Sequence, residues 1–188
     1  MLDLEALAAH RGSVLGNMPD EAQPSQKMFD SIVWHALRGL HPKRPIFVES
    51  ESKKIGRLRV PQSVIECMWS SECIVLEAPL HVRVALLKSD YAHYFSAPEL
   101  LASQLDCLAP LHGSERIRRW QDLARSGSWD ALVEDLLVEH YDPAYTRAIS
   151  KHYPALSRAP RYMLREASES EFRRIAAAII DDIEARRA

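Results

Sequence analysis

Apolar positions fall into short compact runs alternating with helical stripes through the first half of the chain, and into helical stripes alone after that. Met1 to Glu5 can form a short strand, and Glu5 to His10 leaves room for one or two helical turns before Gly12. Arg11 to Pro24 is rich in Gly, Pro, Asn and Asp and predicts a loop. From Ser25 onward Met28, Ile32, Val33, Ala36, Leu37 and Leu40 recur at helical spacing, and Gly39 and Pro42 close the helix. Pro45-Ile46-Phe47-Val48 is a compact apolar run that stops at Glu49-Ser50-Glu51-Ser52, the profile of a buried parallel strand emerging at its carboxyl end. Ile74-Val75-Leu76 followed by Glu77 repeats that profile. Pro61 and Pro79 stand where helices begin, one through Val64, Ile65 and Met68, the other through Val82, Val84, Leu86 and Leu87.

Between Ser96 and Lys151 the strand signal disappears. Ser96 with Glu99 predicts a capping box, Ser128 a cap for a helix through Leu132, Leu136 and Leu137, and Asp142-Pro143 a cap with a first-turn proline. Arg161 to Leu164 returns as a strand, Ser168 with Glu171 forms a second capping box, and Phe172, Ile175, Ala176, Ile179, Ile180 and Ile183 line one stripe of the last helix. The expected fold is α/β: a parallel sheet flanked by helices, with a helical region in the C-terminal half. Residues 1–95 form the α/β core, 96–155 a helical subdomain, and 156–188 a strand and helix that pack back on the core.

Composition narrows the function without naming it. A chain of 188 residues with 47% hydrophobic positions can bury one full core. Lys and Arg number 24 against 26 Asp and Glu, so any grip on a polyanion must come from local patches. Cys67, Cys73 and Cys107 are odd in number and form no C-x-x-C pair, which favours reduced, buried thiols over a disulfide frame and predicts no zinc or iron site. No apolar run approaches the ~20 residues of a membrane span, so a cytoplasmic protein without a membrane partner is expected.

Two stretches could carry chemistry. His10-Arg11-Gly12-Ser13 combines a guanidinium fork, a backbone opened by glycine and a hydroxyl, which suits an oxyanion; it also suits an ordinary helix end with Gly12 left-handed. Glu49 and Glu51 share one side of an extended chain and could hold magnesium or move a proton, or simply punctuate a strand end. Lys53, Lys54, Arg57 and Arg59 follow at once and favour a phosphate-bearing ligand. His140-Tyr141-Asp142-Pro143 is a further polar cluster in which Asp142 is explained by capping. No G-x-x-x-x-G-K-[ST] phosphate loop and no G-x-S-x-G elbow occur.

In order and spacing, the pieces Asp3-Leu4-Glu5-Ala6-Leu7-Ala8, His10-Arg11-Gly12-Ser13, Pro24-Ser25-Gln26, Glu49-x-Glu51-Ser52, Ile55-Gly56 and Tyr141-Asp142-Pro143-x-Tyr145 resemble the carboxyl-terminal domain of tRNA 2-selenouridine synthases. The resemblance implies a P-loop-NTPase-like fold, here truncated, with a rhodanese-like domain and the phosphate loop expected upstream and the chain inactive alone. It implies geranylation of a 2-thiouridine at the tRNA wobble position and conversion to 2-selenouridine, with geranyl diphosphate and selenophosphate as co-substrates and magnesium as a candidate ion. A selenophosphate-supplying enzyme and the tRNA anticodon loop are the implied partners. On this basis His10, Arg11, Gly12, Ser13, Gln26, Ser52, Lys53, Arg57 and Tyr141 are assigned to substrate, and Glu49 and Glu51 to catalysis and metal. Arg116, Arg118, Arg119 and Trp120 are assigned to RNA. The competing expectations are a small-molecule phosphotransferase or nucleotide-binding protein of related fold, and a non-catalytic tRNA-binding module.

Overall fold

The computed structural model describes residues 1–19, 21–50 and 52–187. Two compact units emerge, one of Met1–Ser71 with Lys151–Pro154, the other of Glu72–Ser150 with Ala155–Ala188.

In the first unit, helix α1 (Leu4–Leu7) starts on Asp3, whose carboxylate accepts from the Ala6 amide. It ends at Ala8 with Ala9 in the left-handed region, φ +49. The amides of His10 and Ala9 reach back to the Glu5 and Ala6 carbonyls, the paired bonds of a Schellman motif. The left-handed turn that ends the helix is therefore made by an alanine, and Gly12 (φ +67) belongs to the next loop. Helix α2 (Gln26–Arg38) begins as predicted, with the Ser25 hydroxyl accepting from the Met28 amide. Its buried face follows the expected stripe at Val33, but in the first turn Phe29 is buried in place of Met28, which is 54% exposed.

The run at residues 45–48 does not become a buried strand. Val48 makes only an isolated parallel bridge to Leu2, and Ile46 is exposed, because no further ladder forms beside it. The extended structure of this unit is a hairpin, β1 (Lys54–Ile55) and β2 (Leu58–Arg59), turning at Gly56-Arg57 with Gly56 at φ +56. A glycine at the first central position suits the primed turns that match strand twist. Helix α3 (Gln62–Ser70) follows Pro61 and buries Ile65 and Met68.

The second unit holds the parallel pairing. Strand β3 (Val75–Glu77) pairs with β4 (Arg161–Met163), and α4 (Leu80–Asp90) starts behind Pro79. Val82, Leu164 and Ile175 form a small apolar cluster with Ala78, Leu86, Tyr162 and Ile179 around it. The fold is thus α/β, but among the described residues its parallel sheet has two strands, with Leu76 on it 62% exposed. Helices α5 (Pro98–Leu105), α6 (Ala109–Arg125) and α7 (Trp129–Leu136) pack together, α5 on α6 and α6 on α7. Gly113 interrupts α6 at φ +78.

Several predicted caps form differently. The Ser96 hydroxyl donates to the His93 carbonyl rather than capping α5, and Ser128 sits at the N-cap of α7 without a side-chain bond to its amides. Asp142 is no cap either: a π turn (Leu137–Tyr141) carries α7 straight into α8 (Asp142–His152), and the Asp142 carboxylate instead takes both guanidinium arms of Arg83. Only at the last helix, α9 (Glu169–Arg187), does the Ser168 hydroxyl accept from the Glu171 amide. Glu171 turns away from the reciprocal bond to accept from the Arg165 amide and from Arg174, which hold its carboxyl down at about 2. The stripe of α9 is split, Ile175 buried and Phe172 and Ile180 exposed. Cys67 and Cys107 are exposed and Cys73 is half-buried, so the thiols are not the buried group expected of them.

The face of α2 is directly testable. Phe29→Ala is expected to cost about 3–5 kcal/mol by chemical denaturation, and Met28→Ala within about 0.5 kcal/mol of wild type. Equal costs would put the wrong face inside.

Candidate functional site

The Schellman turn delivers the chain into a tight loop. His10 bridges Asn17 in antiparallel fashion, the Arg11 amide donates to the Gly16 carbonyl at 2.8 Å, and the Gly16 amide donates to the Ser13 carbonyl at 2.9 Å. A side chain at Gly16 would lie 3.0 Å from the His10 ring, so glycine there lets the loop close on the histidine. His10 is 4% exposed, and its Nδ1 accepts from the Gly12 amide at 3.1 Å, which requires the proton on Nε2. Burial pushes the His10 pKa below its ordinary value.

Gln23 joins this loop to the β1–β2 hairpin. Its Nε2 donates to the carbonyls of Ala8 (3.2 Å) and Ile55 (3.0 Å), and its Oε1 accepts from the Arg57 amide at 2.9 Å. The Arg57 guanidinium donates to the Gln23 carbonyl. Around this amide opens a hollow of about 900 Å³, lined among others by His10, Gly12, Ser13, Gln23, Lys54 and Arg57. Two cations and a glycine-opened turn face it, with Glu21 as an acidic wall. That donor set suits an anionic group.

Other expected site residues do not line the hollow. Arg11, Gln26, Ser52 and Lys53 are not part of the lining. The Gln26 amide clasps the backbone of Arg59, donating and accepting at 2.8 Å. Ser52 turns onto Lys54, and the Lys53 ammonium sits 4.8 Å over the Trp69 ring, whose stacking partner is His152. Glu49 Oε1 accepts from the amides of Leu4 and Glu5, so this carboxylate caps α1. Glu51 lies outside the described residues. Among those described, no group of three or more His, Cys, Asp or Glu gathers to hold a metal ion. With Glu49 tied to backbone amides, the described carboxylates do not fit a magnesium site, and no step below passes through one.

Tyr141 belongs to the second unit. There the π turn sets His140 Nδ1 3.0 Å from His112 Nε2, with the Tyr141 ring edge-on to His140 at 4.8 Å. Burial lowers the pKa of both histidines, His112 further lowers His140, and Arg116 further lowers His112. Trp120 meets His112 edge-on and is fully buried, so it has no ring face to offer a nucleobase. Arg116 pairs with Glu139 and Arg119 with Asp135, both in exposed ion pairs. Arg118 is exposed on the same helix.

Residues 1–106 match the family described as the tRNA 2-selenouridine synthase AAA domain. The chain belongs to that family. It is similar to tRNA 2-selenouridine synthases of Marinobacter nauticus, 30% identical over 77% of this chain and 47% of that protein, and of Alcanivorax borkumensis, 33% over 80% and 49%. A shorter match to the synthase of Nitrosomonas eutropha is 42% identical over 94 residues. The chain thus spans about half the length of these curated relatives. No solved structure matches it. Among the described residues no helix is long and apolar enough to cross a membrane. The hollow falls wholly inside the region that defines the selenouridine synthase family.

Sequence reasoning missed Gln23 and the wall made by Glu21, and it named Lys54 among the cations but assigned Lys53 to the ligand. Lys54 was one residue from the expected Lys53, and the hairpin decides which of the two faces the hollow. Gln23 carries no sequence signal, since a glutamine that bonds three backbone groups looks like any loop residue.

Gly56 gives one test. A β-carbon there would stand 2.3 Å from Gln23 Oε1 and 2.8 Å from the His10 ring, at a left-handed φ. Gly56→Ala is expected to destabilise the chain by more than about 1 kcal/mol and to weaken anion binding; an unchanged denaturation midpoint would contradict the packing described. His10 gives a second. Because burial favours the neutral ring, the unfolded chain takes up a proton below 6.5 that the folded chain resists. Stability should therefore fall as pH drops below 6.5 and level off below the folded pKa, with His10→Gln lacking that component; NMR titration of the ring should give a midpoint below 6.5.

Proposed function

We propose that the chain is the anion-binding part of a P-loop-type α/β enzyme unit that modifies the tRNA wobble uridine. Its hollow would receive the diphosphate of a prenyl donor such as geranyl diphosphate. The supporting observation is the convergence of Lys54 and Arg57 on the Gly12-Ser13 turn, inside the region that matches the family.

The chemistry follows from the leaving group. The sulfur of a 2-thiouridine attacks the allylic carbon of geranyl diphosphate, a carbon–sulfur bond forms, and the carbon–oxygen bond breaks with its electron pair leaving on the diphosphate. Charge builds on the departing oxygens, where fixed cations stabilise the transition state more than the ground state. Lys54 and Arg57 supply that charge, the Ser13 hydroxyl a hydrogen bond, and neutral His10 an Nε2–H donor. The selenium of selenophosphate then attacks C2 of the same base: a carbon–selenium bond forms, the carbon–sulfur bond breaks with geranyl thiolate leaving, and water cleaves the phosphorus–selenium bond to release phosphate. Glu49 Oε1 is taken up by the first amides of α1.

Calorimetric titration of the chain with inorganic pyrophosphate, geranyl diphosphate and ATP tests this reading. Both diphosphates should bind, ATP more weakly, and Lys54→Ala should lower diphosphate affinity about tenfold or more, the loss of one charge-assisted contact. Preference for ATP would instead support a phosphotransferase, and no diphosphate binding would remove the proposal.

A further inference from the structure

Trp120 is buried and offers no ring face to a base, and α2 in the first unit carries an exposed aromatic ring that does. Trp34 is 59% exposed, the most exposed aromatic side chain among the large apolar residues recorded at the surface. The Arg38 guanidinium lies 4.7 Å over its ring. Lys27, two turns earlier, falls on the same side of the helix, and Lys43 and Arg44 follow in the loop behind it. From Lys27 to Arg44 there are four Lys or Arg residues and one acidic residue, Asp30, in a chain whose net charge is −2. Asp30 is engaged by Gln26, whereas Lys27, Arg38, Lys43 and Arg44 have no ion-pair partner among the described residues.

Arg38 alone could be explained by the carbonyl end of α2, where a cation is favourable. The indole is not explained by folding, since burying it would stabilise the chain and here most of it remains in water. A partly exposed aromatic ring carrying a guanidinium, with Lys27 on the same side of the helix and Lys43 and Arg44 close behind it in the chain, matches what recognises unpaired nucleotides: the ring stacks on a base and the cations take the phosphates. A duplex hides its base faces, so the complementary partner is a single-stranded loop.

We infer that the outward face of α2, built on Trp34 and Arg38 with Lys27, Lys43 and Arg44, binds the anticodon loop of tRNA, Trp34 stacking on one unpaired base. This rests on the tRNA reading above but uses a surface separate from the residues that line the hollow.

The test uses fluorescence anisotropy of the full chain with a labelled anticodon stem-loop and with a plain duplex of the same stem. Trp34→Ala is expected to weaken stem-loop binding about tenfold or more and leave duplex binding unchanged, while Trp34→Phe retains most of the affinity. The double variant Lys43→Ala, Arg44→Ala should weaken both and flatten the dependence of log K on log salt by about 1.4. Pyrophosphate binding by each variant, expected to match wild type, shows that the chain is folded and that the hollow is intact. The inference is overturned if Trp34→Ala binds the stem-loop like wild type, or if wild type binds pyrophosphate but no RNA. It is also overturned if the face binds vesicles of equimolar phosphatidylcholine and phosphatidylglycerol in preference to RNA. Loss of pyrophosphate binding in wild type would instead sink the reading of the hollow and leave the RNA result to stand by itself.

Discussion

The hollow depends on one uncharged amide. Gln23 bonds the carbonyl that ends α1, the carbonyl of Ile55 and the amide of Arg57, so the loop after α1 and the β1–β2 hairpin keep a fixed separation. The two carbonyls would otherwise be left half-buried without this partner, which costs more than a single hydrogen bond gains. A charged residue in that position would have to be neutralised; glutamine offers donors and an acceptor with no net charge, and leaves the electrostatics of the site to Lys54, Arg57 and Glu21. Gly56 makes the arrangement possible by having no β-carbon in the space that the amide fills.

This separation of duties explains which parts of the site could be read from residues alone. His10, Gly12 and Ser13, assigned to substrate through the family resemblance, do line the hollow, whereas the residues alone suited an ordinary helix end equally well. Lys53 and Lys54 were not distinguishable, since where β1 begins is set by the pairing across a two-residue turn, which leaves Lys53 at a bend before the strand and Lys54 in it. The exchange of Met28 for Phe29 in the first turn of α2 has the same character: both are apolar, and it is the larger ring that goes inside. Helix starts behind Pro61 and Pro79 were reliable because proline fixes the backbone angle whatever the tertiary context.

Where reading failed, a partner was missing or unexpected. Residues 45–48 have the composition of a buried strand, yet hydrogen-bonded ladders need neighbours, and Val48 finds only Leu2. Asp142 has the sequence of a cap, but Arg83, 59 residues away, binds it in a bidentate pair that no local pattern announces. Glu49 looked like a group reserved for chemistry and is held by the first amides of α1. In all three cases a contact distant along the chain overrode local preference.

The π turn at Leu137–Tyr141 also sets the phase of everything that follows it. The one surplus residue it stores turns α8 by roughly 100° relative to an uninterrupted α-helix. Natural length variation in this segment should therefore be tightly restricted: losing that residue would heal the helix locally while swinging the carboxylate at 142 out of reach of the guanidinium at 83.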